Sequence, residues 1–125
     1  SSKTVKSFLK SHGFRSSSTS IVRMSNGIFN TTYFYRNDES SMETLGFEYN
    51  IVNAGKGQKI QYDIYFEEAV SDYEFQHRGY INVPDMFDLD VENKEDQETI
   101  SSLVLKKERA RLEKLVEGEY DHPAI

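Results

Sequence analysis

Three carboxylates at alternate positions, Asp88, Asp90 and Glu92, come nearest in type and spacing to a metal site in this chain. On a strand, alternate side chains share one face, and hard cations such as magnesium or calcium take oxygen ligands. An EF-hand loop also needs glycine at its sixth position and glutamate at its twelfth. Counted from Asp88, those places hold Asn93 and Thr99. The run from Asp85 to Glu98 therefore reads as a solvated acidic connector, and no metal ligand is assigned. His12, His77 and His122 are too scattered for the close ligand spacing of a zinc site. With no cysteine there is no thiolate ligand, no disulfide and no cysteine nucleophile. No Gly-x-Ser-x-Gly elbow occurs, and Gly55-Lys56-Gly57 lacks the remaining residues of a phosphate-binding loop. The residues thus predict a non-enzymatic protein with no catalytic residue and no cofactor.

Charge distribution points to binding instead. The net charge of −6 hides a strong asymmetry. Residues 1–37 hold six bases (Lys3, Lys6, Lys10, Arg15, Arg23 and Arg36) and no acid, whereas residues 38–99 hold sixteen acids and four bases. Such a layout can orient a charged partner at long range. The first reading uses the acids. Asp85, Asp88, Asp90 and Glu92 steer a basic partner, and Phe87 and Leu89 between them serve as apolar anchors. A small protein that inhibits or regulates a nucleic-acid-processing partner fits this description, as do many accessory proteins of phages and mobile elements. The second reading uses the bases. Lys3, Lys6, Lys10, Arg15 and Arg23 contact phosphate, and Tyr33, Tyr35 and Tyr65 stack on bases, giving a nucleic-acid-binding module.

A third reading comes from Pro84-Asp85 followed by Glu92-Asn93-Lys94, which resembles the PD…(D/E)xK signature of restriction-like nucleases. The resemblance implies a metal-dependent nuclease in which the acids hold magnesium and the lysine polarises water or phosphate.

The elements that must position these residues follow from periodicity. Val5, Phe8 and Leu9 share one helical face, predicting a helix over residues 3–12 capped by Ser2 and stopped at Gly13. Ser25-Asn26-Gly27 predicts a hairpin between Ile21–Met24 and Ile28–Tyr35. Phe47, Tyr49 and Ile51, then Tyr62, Ile64 and Phe66, alternate with polar residues as half-buried strands. Arg15 to Ser20 and Arg36 to Thr44 read as loops, and Tyr73–His77 and Tyr80–Val83 as one or two weaker strands broken at Gly79. A long helix over 96–117, capped by Asp96 or Asn93, closes the chain. Lys107, Glu108 and Arg111 interrupt its apolar stripe, so its middle is expected to leave the core. The prediction is α+β: an N-terminal helix, an antiparallel sheet of four to six strands built from hairpins, and a long C-terminal helix. Residues 1–118 form one domain and 119–125 a tail.

This order resembles that of double-stranded-RNA-binding domains, although Glu95-Asp96-Gln97-Glu98 stands where their closing helix carries a basic cluster. Asn30-Thr31-Thr32 fits a glycosylation sequon. No run of ~18 apolar residues and no basic-then-apolar leader pattern is present, making an intracellular protein the default expectation.

Overall fold

Alternation in the middle of the chain sets the architecture. The computed structural model describes residues 1–37, 41–53, 57–84 and 86–119. Its central strands, β4 (Met42–Asn53) and β5 (Gln58–Glu68), pair antiparallel with Leu45 opposite Phe66, Phe47 opposite Ile64 and Tyr49 opposite Tyr62. Period two puts those six side chains on one face, and all six are buried. On either side lie β3 (Gly27–Asn37) and β6 (Tyr73–Val83). Two short strands, β1 (Arg15–Ser16) and β2 (Ser20–Met24), share the outer edge of β3. Two helices, α1 (Val5–Ser11) and α2 (Lys94–Val116), cover the apolar face, completing the α+β fold of six antiparallel strands between a short helix and a long one. Fully buried Val5, Leu9, Ile100, Val104, Leu105 and Leu112 meet the sheet there, each contributing ~1.5–3 kcal/mol. Among the described residues no helix is long and apolar enough to cross a membrane.

Local chemistry explains where the elements begin and end. Thr4, rather than the expected Ser2, caps α1. Its Oγ1 accepts from Ser7 N at 3.1 Å, while Ser7 Oγ accepts from Thr4 N at 3.0 Å, a reciprocal capping box. Gly13, with φ of 87°, ends that helix. Asn93 caps α2 by accepting from Asp96 N at 3.1 Å, and Glu95 and Asp96 in the first turn complement the helix dipole.

Several expectations are corrected, and most of the corrections involve polar residues paired with one another. Arg36 to Thr44 is not one long loop, because β3 runs to Asn37 and β4 starts at Met42. Arg36 faces the helices, donating from Nε to Glu43 at 2.7 Å, from Nη1 to His12 O and from Nη2 to Val116 O. One guanidinium thus ties the ends of both helices to the sheet. Residues 73–83 form one unbroken strand in which Gly79 is a seat and not a break. A Cβ there would run into the phenol of Tyr62, its cross-strand neighbour. The middle of α2 does not leave the core either. Glu108 is 4 % exposed and points at the sheet.

Smaller differences follow the same logic. The polar run after Arg15 belongs to an interrupted edge strand. Three residues lie between Ser16 and Ser20 where two lie between their partners Phe34 and Thr31, so one extra residue bulges. Ile51, expected in the core, is half-buried at the end of β4. Asn30 of the sequon is buried, with Nδ2 donating to Val91 O at 3.2 Å, so no glycan can be attached in the folded state.

Candidate functional site

With both helices on one face, the other face of the sheet is left open, and register fixes what it displays. One row across the strands reads Tyr33, Gly46, Tyr65, Gln76. Its neighbours read Thr31, Glu48, Asp63, Arg78 on one side and Arg15, Tyr35, Thr44, Glu67, Glu74 on the other. The first two rows line an open groove of about 630 Å3. Gly46 is its low point. A Cβ there would stand 3.1 Å from Tyr33 Cε1 and 3.8 Å from Tyr65 Cβ, so the missing side chain is what lets the Tyr33 ring lie close over the strand. Tyr33 is 45 % exposed, as befits a ring with no layer above it. Val22, Met24, Tyr35, Met42 and Tyr80 fall on the same face by register and are exposed as well.

The charges in the groove are partly matched among themselves. Arg78 donates from Nε and Nη2 to Asp63 at 2.9 and 3.2 Å, and that carboxylate holds the guanidinium pKa up. Thr31 donates to Glu48 at 2.9 Å. Tyr65 donates to Glu67 at 2.8 Å, and this bond, more than burial or the Glu67 and Glu74 charges, lifts its phenol to about 12. With Asp63 and Arg78 cancelling, Glu48 and Glu67 remain beside the tyrosines, with Glu74 at one edge of the sheet and Arg15 beside Tyr35 at the other. The arrangement offers aromatic faces with flanking anionic oxygens, which suits a cation.

The acidic connector is arranged differently from the expected strand face. Residues 88–92 are not a strand. Leu89 and Val91 enter the core, so Leu89 cannot serve as a surface anchor. Gln58 clasps Leu89 from both sides, accepting from its N at 2.8 Å and donating to its O at 3.2 Å, and donates to Asp88 at 3.3 Å. Asp90 Oδ1 accepts from Glu92 N at 2.9 Å, and Glu92 pairs with Arg23. These acids strap the connector to the fold, leaving Phe87, 51 % exposed, as the anchor still at the surface. Asp85 lies outside the described residues. Among those described, no three His, Cys, Asp or Glu gather where they could hold a metal ion.

The basic residues are divided. Lys3, Lys6 and Lys10 sit on or beside α1, on the helical layer. Arg15 stands opposite Tyr35 and shares the open face with Tyr33. Arg23 faces the other way, toward Glu92. The fold thus joins Arg15, Tyr33 and Tyr35 and separates them from the lysines and from Arg23.

Sequence reasoning missed one constellation, centred on a buried carboxylate between α2 and the sheet and reaching solvent at His77 and Arg111. Glu108 accepts from Tyr62 Oη at 2.5 Å and from Arg111 Nε at 3.1 Å, and it meets His77 Nε2 at 2.8 Å. Burial pushes this carboxyl up, but the bonds from Tyr62 and Arg111 and the attraction of His77 outweigh it and hold it below the ordinary range. Tyr62 is fully buried, its phenol raised by burial and by Glu108. The cluster locks α2 onto β5 and β6. Its sequence signal was a glutamate amid the apolar stripe of a long helix. No family model, curated protein or solved structure matches the chain.

Proposed function

We infer that this protein is a non-enzymatic binding module that takes a basic partner on the open face of its sheet. The observation carrying the reading is the groove over Gly46, with Tyr33 and Tyr65 as walls and Glu48 and Glu67 beside them. A lysine or arginine side chain laid between the rings gains cation–π attraction of ~0.5–1 kcal/mol at such an exposed site, and each exposed carboxylate adds at most ~1 kcal/mol. Several such contacts reach micromolar affinity, about 8 kcal/mol, only when spread along an extended segment. The partner is therefore a lysine- or arginine-rich stretch of another protein lying across the strands. The connector at 85–92 keeps Phe87 as a peripheral contact.

The test is fluorescence anisotropy with labelled octapeptides, one rich in lysine and arginine and one rich in glutamate, beside a labelled single-stranded oligonucleotide. The basic peptide binds, more weakly at high salt, and both Tyr33→Ala and Glu48→Lys weaken it severalfold. Failure of the basic peptide to bind overturns the reading. Preferential binding of the oligonucleotide, lost in Arg15→Glu, replaces it with a nucleic-acid platform of Arg15, Tyr33 and Tyr35. Binding that survives both groove variants but disappears in Phe87→Ala moves the site to the connector.

A further inference from the structure

The two outer edges of the sheet are finished differently. On one side β1 and β2 are short, and the extra residue between them interrupts the edge. On the other, β6 runs eleven residues with no bulge and no proline. Two hydrogen bonds fix which of its backbone groups face outward. Ala69, just past β5, donates from N to Met42 O, so odd-numbered residues of that run bond to β4 and even-numbered ones to β6. Register pairs those even residues with odd residues of β6, which turns the N–H and C=O of Glu74, Gln76, Arg78 and Tyr80 away from the sheet. Lys107 Nζ accordingly reaches the outward Tyr80 O at 2.6 Å and covers that end. Among the described residues, nothing covers the outward groups of Glu74, Gln76 and Arg78.

The charges along this edge say what strand it fits. Glu74 stands opposite Glu67 of β5, like against like, and joins no ion pair among the described residues. Arg78, although held by Asp63, keeps 57 % of its side chain exposed. A second copy laid antiparallel, with Gln76 opposite Gln76, sets Glu74 of each copy against Arg78 of the other. That is the one two-fold register in which the outward groups of all three residues pair among themselves. Centring on Glu74 or on Arg78 instead would bring like charges face to face. We propose that two copies of this chain pair through β6, joining their sheets into one of twelve strands, six from each. Backbone bonds exchanged at three residue pairs supply the contact, and the two Glu74–Arg78 pairs fix the register. Half-buried Phe75 of each copy then lies opposite His77 of the other on the helical face. The interrupted edge offers no comparable run, so assembly closes at two. The inference does not rest on the peptide reading, whose Tyr33 lies three strands away on β3.

The test is sedimentation velocity from about 10 to about 500 μM, because a single strand pair belongs with the small, weak interfaces below ~1,200 Å2. The wild-type chain passes reversibly from monomer to dimer across that range. Gln76→Pro keeps the fold, since the lost N–H makes no bond to β5, and removes the dimer. Glu74→Arg and Arg78→Glu each weaken association about fivefold, by turning both ion pairs into repulsions. An equimolar mixture of those two variants restores it, because unlike copies then match every positive residue with a negative one. Tyr33→Ala leaves association unchanged. The proposal is overturned if the chain stays monomeric to about 500 μM, if it assembles beyond a dimer, or if folded Gln76→Pro dimerises as well as wild type. A mixture of the charge variants that associates no better than either alone overturns it too, and decides the matter should Gln76→Pro fail to fold.

Discussion

Along β5, adjacent residues live in different solvents. Tyr62, Ile64 and Phe66 lie under the helices with almost no surface left, whereas Asp63 and Tyr65 between them line an open groove and Glu67 lies exposed. The strand is one piece of backbone, so the difference comes from parity alone. On the covered face a polar side chain cut off from water must find a partner in the protein. Arg36 does so with Glu43 and two helix-end carbonyls, and Glu108 with Tyr62, His77 and Arg111. On the open face water supplies the partners, so aromatic residues and charges can be placed for recognition at little structural cost. Stability should therefore reside on one face and binding on the other.

The sharpest break of that comparison is a pair of truncations. Phe66→Ala should cost ~3–5 kcal/mol, because a fully buried ring leaves a cavity under α2. Chemical denaturation would read it directly, and a loss below ~1 kcal/mol would mean that the helical layer is not the core. Gly79→Ala should follow at ~1–3 kcal/mol, since the new methyl displaces a Tyr62 phenol that has no space into which to move.

Acid should attack the covered face through its paired carboxylates. Ser41 and Ser71 hydroxyls, helped by the Ser71 and Val70 amides, hold Glu68 at about 2 against an ordinary 4.5, and Glu108 is also lowered. A depressed pKa adds stability that is complete above the unfolded value and is lost as protons return. Stability should thus decline as pH falls from about 4.5 toward 2, and Glu68→Gln should flatten that limb in pH-dependent unfolding.

Two smaller effects sharpen the contrast from the open side. Asn50 Oδ1 is the one buried side-chain polar atom without a partner among the described residues, and register puts it on the open face. Asn50→Val should raise stability by about 1 kcal/mol, seen as a melting point a few degrees higher. Tyr33→Ala should change stability by only ~0.5 kcal/mol while weakening capture of the basic peptide severalfold. A large stability loss there would mark Tyr33 as a packing residue and remove a wall from the proposed groove.

Much of the fold was legible because its signals are local. Alternation through Phe47–Ile51 and Tyr62–Phe66 identified the central strands, and Ser25-Asn26-Gly27 the first hairpin, closed with Met24 opposite Gly27. Capping was less legible, since Ser2 and Thr4 are both competent and the choice fell to Ser7, which completes the box only with Thr4. The candidate surface was read less well. Tyr33, Tyr35, Tyr65 and Arg15 were singled out, but Gly46 and Glu48 come from β4, and nothing in their own neighbourhood marks them.

What the sequence determined by itself is the α+β order, the strand faces and the asymmetry of charge, because periodicity and composition are properties of short stretches and simple sums. What only the tertiary structure decided is which charges are free. Glu92 was spent on Arg23, Leu89 on the core and Glu108 on Tyr62, each through a partner between 46 and 69 residues distant or through packing against the whole domain. The same is true of the face left uncovered. Both helices could reach only one side of the sheet, and the residues stranded on the other form its open surface.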